Sequence, residues 1–449
     1  AASRTRNGAW VAPRISPASP TSPKPAVPCL MARFRTLEAT AVVTAVATPA
    51  TAQTTTRPSD QDVSDAYIYL LSRLLVLQQQ QKDFKEGFKW NQFIHRKPGQ
   101  VTWANPNLDV AYSEAWIAVD EESCLTVSVP KVSGRYFTVH FLNGWGETVA
   151  NINERVFPQR PHGNFAVCLK GSNVTLPAST QRIDVPAKYM RVLSRVELKD
   201  DWDTAVALQH QFKLKPTGKP VLPKSIPKTV MFEPNALPGV EAFESALLAL
   251  DSEPDINPGT VQLQATTRAI AQAVKDPAER KRIDELVRNK AIADFHAGLP
   301  TVGHGTRKNG WALPATSGSY GDDWLTRTYA NYGGIWANTS QEVIYYKGLA
   351  DNGDAPLLTD NTYTLTFPKD QLPEKYATYF WSVIAVDSVN RRVLPNPKKR
   401  YLLNKQSGLK YAQDGSLTLY LGPDKPKDAP EQNWLPTPKG QNYNLTFRF

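Results

Sequence analysis

Apolar residues recur at two different periods along this chain, and the places where the period changes divide it. Over residues 62–82, Tyr67, Leu70, Leu71, Leu74, Leu75 and Gln78 keep the i, i+3, i+4 spacing of one helical face, with Ser64 or Asp62 available as N-cap. The spacing predicts a helix that covers one end of a β domain. From Ala111 to Glu197 the period drops to two. LTVSVP, RYFTVHFLN, TVANI, NFAVCLKG, ASTQRIDVP and YMRVLSRVEL alternate or are β-branched, and Gly, Pro and Asn punctuate them. In RYFTVHFLN, Phe137, Val139 and Phe141 share one face, so His140 points the other way, toward water or a second layer. Residues 201–212 read as a short capped helix.

Residues 216–239 are rich in Pro and Lys and form the clearest domain boundary. Residues 240–297 return to the helical period in FESALLALD, VQLQATTRAIAQAVKD and RIDELVRNKAIADFH, broken by Pro254, Pro258 and Pro277, which favours a helical layer packed on a sheet over a coiled coil. After Gly310 comes a glycine-punctuated loop, a helix over 322–332, and then six strands, EVIYYKGLAD, YTLTFP, YFWSVIAVD, RYLLN, SLTLYLG and YNLTFRF. The predicted fold class is mainly β with helical connections. Two β-sandwich or jelly-roll-like domains, 59–216 and 310–449, are joined by a linker and helical layer at 217–309.

Residues 1–58 read as a disordered leader. From Met31, MARFR supplies a basic start, ATAVVTAVATP an apolar stretch interrupted shortly before by Glu38, and Ala50-Thr51-Ala52 a small-residue cleavage motif ahead of Gln53. A secretory signal at 31–52 and a periplasmic or secreted mature protein are expected, with an organelle transit peptide as the alternative. The leader matters for the charge. Residues 1–52 hold six Arg or Lys and one Glu, net +5 of the chain's formal +10, leaving +5 for the rest. No basic block interleaves with aromatics, which disfavours nucleic acid as a partner. No apolar run approaches the roughly 18 residues of a spanning helix, so membrane insertion of the mature chain is not expected. Cys124 and Cys168 both sit in strand-like alternation and either pair or pack as separate thiols.

Motif chemistry narrows the field by absence. There is no G-x-S-x-G elbow, H-E-x-x-H helix, C-x-x-C pair or G-x-x-x-x-G-K-[ST] loop. The densest polar stretch is WANPNLDVAYSEAW, Trp103 to Trp116, where Asn105, Asn107 and Asp109 would share a face if extended. The competing reading is an Asx-rich turn whose side chains cap their own backbone. Asp109 is the leading catalytic candidate, with Tyr112 and Arg135. Asn105, Asn107, Tyr320, Arg327, Tyr345, Trp381 and Trp434 are candidate substrate contacts, alongside Asp322, Asp323, Tyr346, Ser382, Asp387 and Asn433. Arg327 stands at i+4 from Asp323, which an ion pair would explain. No organic cofactor is evident. A divalent cation such as Mg or Ca, held by Asp and Asn oxygens, stays open.

NPNLDVAYSEAW, LTVSVPKVSGRYFTVHFLNGW, YGDDWLTRTYANYGGIWAN, YFWSVIAVD, RYLLN, DGSLTLYL and NWLPTPKG, in that order from roughly Tyr67 to the end, resemble the two-domain family of domain of unknown function 1254 followed by domain of unknown function 1214. The resemblance implies two β-rich domains with helical connections and names no activity. Asp109 matches the acid of the family's PN-x-D pattern, Tyr112 the tyrosine after it, and Arg135 the arginine of its RY-aromatic strand. Two functions compete. One is an exported enzyme of hydrolase or lyase type acting on a small or oligomeric polar substrate in a cleft between the β domains, with Asp109 as acid or base. The other is a non-catalytic envelope protein that presents Trp103, Trp145, Trp381 and Trp434 to a glycan or a protein partner. A homo-oligomer is left open by either.

Overall fold

The computed structural model describes residues 14–17, 57–99, 104–357 and 360–449. The expected signal segment, the small-residue motif and Trp103 lie outside the described residues. In chain order the elements begin with β1 (Ser16–Pro17) and α1 (Asp60–Glu86). Ser59 is the N-cap of α1, rather than Asp62 or Ser64. Its hydroxyl accepts from the Asp62 amide at 3.2 Å while the Asp62 carboxylate accepts from the Ser59 amide at 2.9 Å. This reciprocal capping box lets the helix start ahead of the apolar period. Gly87, at φ 114°, ends it in a conformation that L side chains avoid.

The first sandwich follows. It comprises β2 (Ile94–His95), β3 (Val110–Ala118), β4 (Leu125–Val129), β5 (Phe137–Leu142), β6 (Thr148–Ile152), β7 (Gly163–Leu169), β8 (Gln181–Val185), β9 (Tyr189–Glu197), α2 (Trp202–Gln209) and β10 (Lys213–Pro216). Two sheets of order β2-β3-β9-β5-β6 and β10-β4-β7-β8 face one another. Period two explains the core between them. Ala115 and Ile117 of β3, Val139 and Phe141 of β5 and Val192 of β9 meet Val127 of β4 and Phe165 and Val167 of β7, all buried. Burying each large apolar side chain is worth roughly 1.5–3 kcal/mol. The β4–β7 pairing brings Cys124 and Cys168 to a Cα separation of 4.4 Å, and the two form a disulfide.

Residues 241–298 form the expected helical layer: α3 (Glu241–Glu244), α4 (Ala246–Ser252), α5 (Thr260–Ala273), α6 (Pro277–Leu286), one π turn and α7 (Ile292–Gly298). It does not lie on a sheet. Its apolar faces close around α1, where Tyr67, Leu70, Leu71 and Leu74 meet Phe243, Ile270, Ile283 and Phe295. The sequence reading of α1 as an end cover is therefore corrected: α1 is the centre of a helical core. At its C-terminal half Val76 joins Trp116 and Leu193 on the outer face of the five-stranded sheet.

The second sandwich contains β11 (Thr306–Lys308), β12 (Trp311–Leu313), α8 (Trp324–Gly334), β13 (Tyr345–Gly348), β14 (Tyr363–Phe367), β15 (Ser382–Asp387), β16 (Leu402–Asn404), β17 (Leu417–Gly422), β18 (Trp434–Pro436) and β19 (Tyr443–Arg448). Its sheets run β1-β14-β17-β18 and β11-β12-β13-β19-β15-β16. Their facing sides bury Leu365, Leu419, Val383, Leu445 and Phe447. Among the described residues no sheet closes into a barrel. The leader expectation also changes at residues 14–17. β1 pairs antiparallel with β14, Ile15 is fully buried among these side chains, and a Cβ on Gly348 would come within 2.9 Å of Ile15 Cδ1. The edge of β14 offers unpaired backbone groups, and this short segment pairs with them while Ile15 fills the core.

Candidate functional site

The outer faces of the two larger sheets approach each other, and a cavity of about 870 Å³ separates them. On the first domain's wall, Tyr112 of β3 lies opposite Arg195 of β9, which lies opposite Thr138 of β5, so one row of polar residues crosses the sheet. On the second domain's wall, Tyr345 pairs with Arg448 and Lys347 with Thr446 across β13 and β19. Alternation puts all four on the side away from the sandwich core. The end of α8 and the loop after it close a third side with Trp336 and Asn338.

Local contacts hold these groups. Arg195 donates to His140 Nδ1 at 3.0 Å and to the Trp336 carbonyl at 3.3 Å, with its guanidinium 5.4 Å from the Tyr112 ring centre. His140 Nε2 lies 2.7 Å from Thr148 Oγ1. An imidazole that accepts from a guanidinium is neutral, and burial with Arg195 alongside holds its pKa well below the usual value. Arg448 donates to the Pro106 carbonyl at 2.9 Å, while its Nε has no partner. Arg391 stacks 4.4 Å over the Tyr332 ring from a backbone at φ 57°. Burial raises the Tyr345 phenol pKa, partly offset by Arg195 and Arg448. Lys347 is pushed well below the lysine range, first by burial and then by Arg448 and Arg391.

The charge balance is uneven. The cavity's acids are engaged: Glu342 with Arg155 at 2.8 Å, Asp354 with Arg307 at 3.0 Å, and Glu154 with the Tyr379 hydroxyl. Among the described residues, Arg195, Lys347, Arg391 and Arg448 form no ion pair, and all four line the cavity. Three guanidinium groups, with the Lys347 amine beside them, set among Tyr112, Tyr136 and Tyr345 make a site suited to an anion.

The sequence-predicted residues divide. Asn105, Asn107, Tyr112 and Tyr345 line the cavity. The asparagines do not share an extended face. Asn105 has φ 49°, its side chain bonds the Gly333 carbonyl and Thr446, and its amide donates to the Arg391 carbonyl at 2.8 Å. It works as a clasp between domains. Asn107 Oδ1 accepts from the Asp109 amide at 2.9 Å, which is the Asx-turn alternative. Asp109 is buried at the domain contact, takes Asn404 Nδ2 at 2.7 Å, and lies near Ser382 and Arg448, but it is not among the lining residues. Burial raises its pKa. The three Asx residues thus diverge, and among the described residues no group of three or more His, Cys, Asp or Glu is placed to hold a metal ion.

The others lie away from the cavity. Arg135 donates to the Glu197 carbonyl at 2.9 Å and pairs with Asp201, the N-cap of α2, rather than with Asp109. Arg327 pairs with Asp255 at 2.6 Å and Glu147 at 3.5 Å over Trp145, not with Asp323, which caps α8 and takes His304. Tyr320 is buried close enough to Glu147 and Arg327 to feel both charges, and burial raises its phenol pKa. Trp381 stacks on Phe447, Trp434 Nε1 donates to the Gly422 carbonyl at 2.9 Å, and Trp145 is buried against Tyr69. The three described tryptophans of the glycan-platform reading are therefore core residues, as large aromatics on β faces usually are. Asp387 holds its own turn, accepting from the Arg392 amide at 2.9 Å, and Asn433 bridges Lys410 and Thr418 backbone. Arg195, Lys347, Arg391 and Arg448 were absent from the sequence candidates. A charge inside a strand that is otherwise apolar, as in YMRVLSRVEL, IYYKG and LTFRF, was the available signal.

Two β sandwiches clasped over a cationic cavity, with a helical core beside them, define the class. The chain belongs to the two-domain family in which a "Protein of unknown function (DUF1254)" segment, matched here over residues 90–216, precedes a "Protein of unknown function (DUF1214)" segment, matched over residues 342–449. Among solved structures it is similar to the VPA0106 protein of Vibrio parahaemolyticus, at 20% identity and TM-score 0.56, covering 87% of this chain and 94% of that one. That likeness speaks for the fold alone. An uncharacterized protein of Burkholderia cenocepacia aligns at 12% identity and TM-score 0.43, covering 84% and 83%. No curated protein matches. No helix of the described residues is long and apolar enough to cross a membrane.

Proposed function

We propose that the chain is an exported enzyme of lyase or hydrolase type whose small or oligomeric polar substrate carries an acidic group into the cavity between the two β domains. The observation that carries this reading is the set of three guanidinium groups without ion-pair partners, Arg195, Arg391 and Arg448, beside the Lys347 amine and facing three tyrosines in a cavity of small-ligand size. Arg391 and Arg448 would hold the acid, since a guanidinium matches a carboxylate with parallel hydrogen bonds. Tyr345, kept protonated by burial, is positioned as donor to a departing oxygen. Elimination next to a neutralised carboxylate fits better than glycoside hydrolysis, which calls on a free pair of carboxylic acids. Glu154, Glu342 and Asp354 are already committed. The Cys124–Cys168 disulfide supports an oxidising compartment.

The experiment is a titration of the purified protein with a dicarboxylate such as succinate, followed by a turnover panel of hydroxy acids, uronates and their amides. Arg391→Gln should weaken succinate by about tenfold or more, the loss of one charge-assisted hydrogen bond pair. Equal binding of succinate and its neutral diamide would sink the anion reading. Binding without turnover across the panel would leave a carrier or sensor in place of the enzyme. For export, intact mass from the native host should begin near Gln53, and retention of residues 31–52 would overturn it.

A further inference from the structure

Lys347 is placed where an amine can react. It stands two residues from Tyr345 on the cavity face of β13, with its nitrogen 3.2 Å from Thr446 Oγ1 and 5.8 Å from the centre of the Tyr345 ring. The guanidinium groups of Arg391 and Arg448 act on it from the turn after β15 and from β19. Of the cavity's carboxylates, Glu342 and Asp354 are paired with Arg155 and Arg307, Glu154 takes the Tyr379 hydroxyl, and none of the three pairs with Lys347. A lysine that served the fold would carry an acid partner, because a buried cation without one is expensive. Here the surroundings favour the free amine, with burial the larger cause and the two arginines the second. Among the described residues, the amine's side-chain neighbours are the Thr446 hydroxyl and the Tyr345 ring, and neither neutralises an ammonium.

We propose that Lys347 is a nucleophile that forms an imine with the carbonyl carbon of a small oxo acid, whose carboxylate rests on Arg391 and Arg448. The inference deepens the anionic-substrate reading of this cavity and rests on it. In the first step the nitrogen lone pair forms the N–C bond, the carbonyl π electrons move to oxygen, and that oxygen takes up one of the nitrogen's protons. In the second, the C–O bond breaks and the oxygen leaves as water with the other nitrogen proton, so that amine and carbonyl become imine and water with no oxidant or reductant consumed. The Thr446 hydroxyl at 3.2 Å and the Tyr345 phenol, two residues away on the same strand face, are the protonated groups beside the nitrogen that can relay those protons. An imine so formed withdraws electrons from the neighbouring carbon, which is what a lyase acting next to a carboxylate needs.

The test uses the full chain with pyruvate or glyoxylate as probe and sodium borohydride as reductant, which converts the imine to a stable secondary amine. Peptide mapping should find one modified lysine, Lys347, carrying the ligand less water plus two hydrogens. Excess succinate should suppress it, and Lys347→Arg should abolish it. Lys347→Met serves as a folding control, because removing a half-buried amine that feels two guanidinium groups and has no acid partner should leave the melting temperature equal or higher. If succinate binds in an Arg391-dependent manner while Lys347 stays unmodified, or while adducts spread over surface lysines without protection, the nucleophile assignment is overturned and the anion site stands. If succinate does not bind and no adduct forms, both readings fall.

Discussion

Arg327→Met removes the cation from a fully buried cluster. Arg327, on α8, lies 2.6 Å from Asp255 of the α4–α5 connection and 3.5 Å from Glu147 of the β5–β6 turn, and its guanidinium covers Trp145 at 4.6 Å and Tyr69 at 5.6 Å. It therefore ties the first sandwich, the helical layer and α8 at one point. Methionine fills much of the same volume, so packing against the rings largely survives. The two carboxylates do not fare as well. Asp255 keeps the Tyr69 hydroxyl at 3.0 Å and Glu147 keeps Asn257 Nδ2 at 2.7 Å, but both are then buried without a counter-charge. Breaking a buried pair from one side costs about 3–5 kcal/mol, and a residual hydrogen bond at each acid argues for the lower half of that range. At roughly 2–4 °C per kcal/mol for domains of this size, the melting temperature should fall by on the order of 10 °C. Differential scanning calorimetry measures the fall, and adding Asp255→Asn and Glu147→Gln to Arg327→Met should recover part of it. Succinate affinity should hardly change, because the cluster does not line the cavity. A drop below about 1 kcal/mol accompanied by lost ligand binding would refute this reasoning and return Arg327 to the substrate site.

Asp109→Asn should leave the fold and activity standing, since the buried carboxyl meets Asn404 and Ser382 rather than the cavity. Burial raises its pKa in the folded state, so its contribution to stability is complete below the unfolded value and is lost as pH rises through the folded one. The asparagine variant should lack that slope in denaturation curves taken from about pH 4 upward; abolished activity on an unchanged fold would instead place Asp109 in the chemistry. Reducing Cys124–Cys168, which closes a loop of sequence separation 44, should cost about 2–4 kcal/mol, read as the shift in denaturation midpoint with and without reductant. Ile15→Ala in the unprocessed chain, which still carries the residues ahead of Gln53, should destabilise the second sandwich by about 2–5 kcal/mol, and an unchanged melting temperature would mean that the leader segment is not seated there.

The helices and strands were legible in the sequence because each depends on neighbours a few positions away. The two-residue period of RYFTVHFLN puts Val139 and Phe141 in the core and His140 on the opposite face. Asp201 and Asp323 stand as caps where acids precede helical stretches. Boundaries slipped where a cap lay outside the apolar period, as with Ser59. Half of the site was legible too. Asn105, Asn107, Tyr112 and Tyr345 were chosen for side-chain type in polar surroundings and do line the cavity. Trp381, Trp434 and Arg327 were chosen on the same grounds and are buried, because an aromatic ring or a guanidinium is equally at home in a core once its polar atoms are paired.

What the sequence determined by itself was the alternation that makes two sandwiches, the helical period of the layer beside them, and the family to which those elements belong. The tertiary structure alone decided which charges meet. Asn105 reaches Thr446 across 341 residues of chain, and Arg448 reaches the Pro106 carbonyl across 342. No local pattern encodes such a contact. The basic groups of the cavity come from β9, from β13, from the turn after β15 and from β19, and those in strands look there like polar interruptions of an apolar run. Only when the outer faces of two sheets are brought together do they become one field. Charge acts through space rather than along the chain, so the site existed in the sequence as parts and becomes a site by folding.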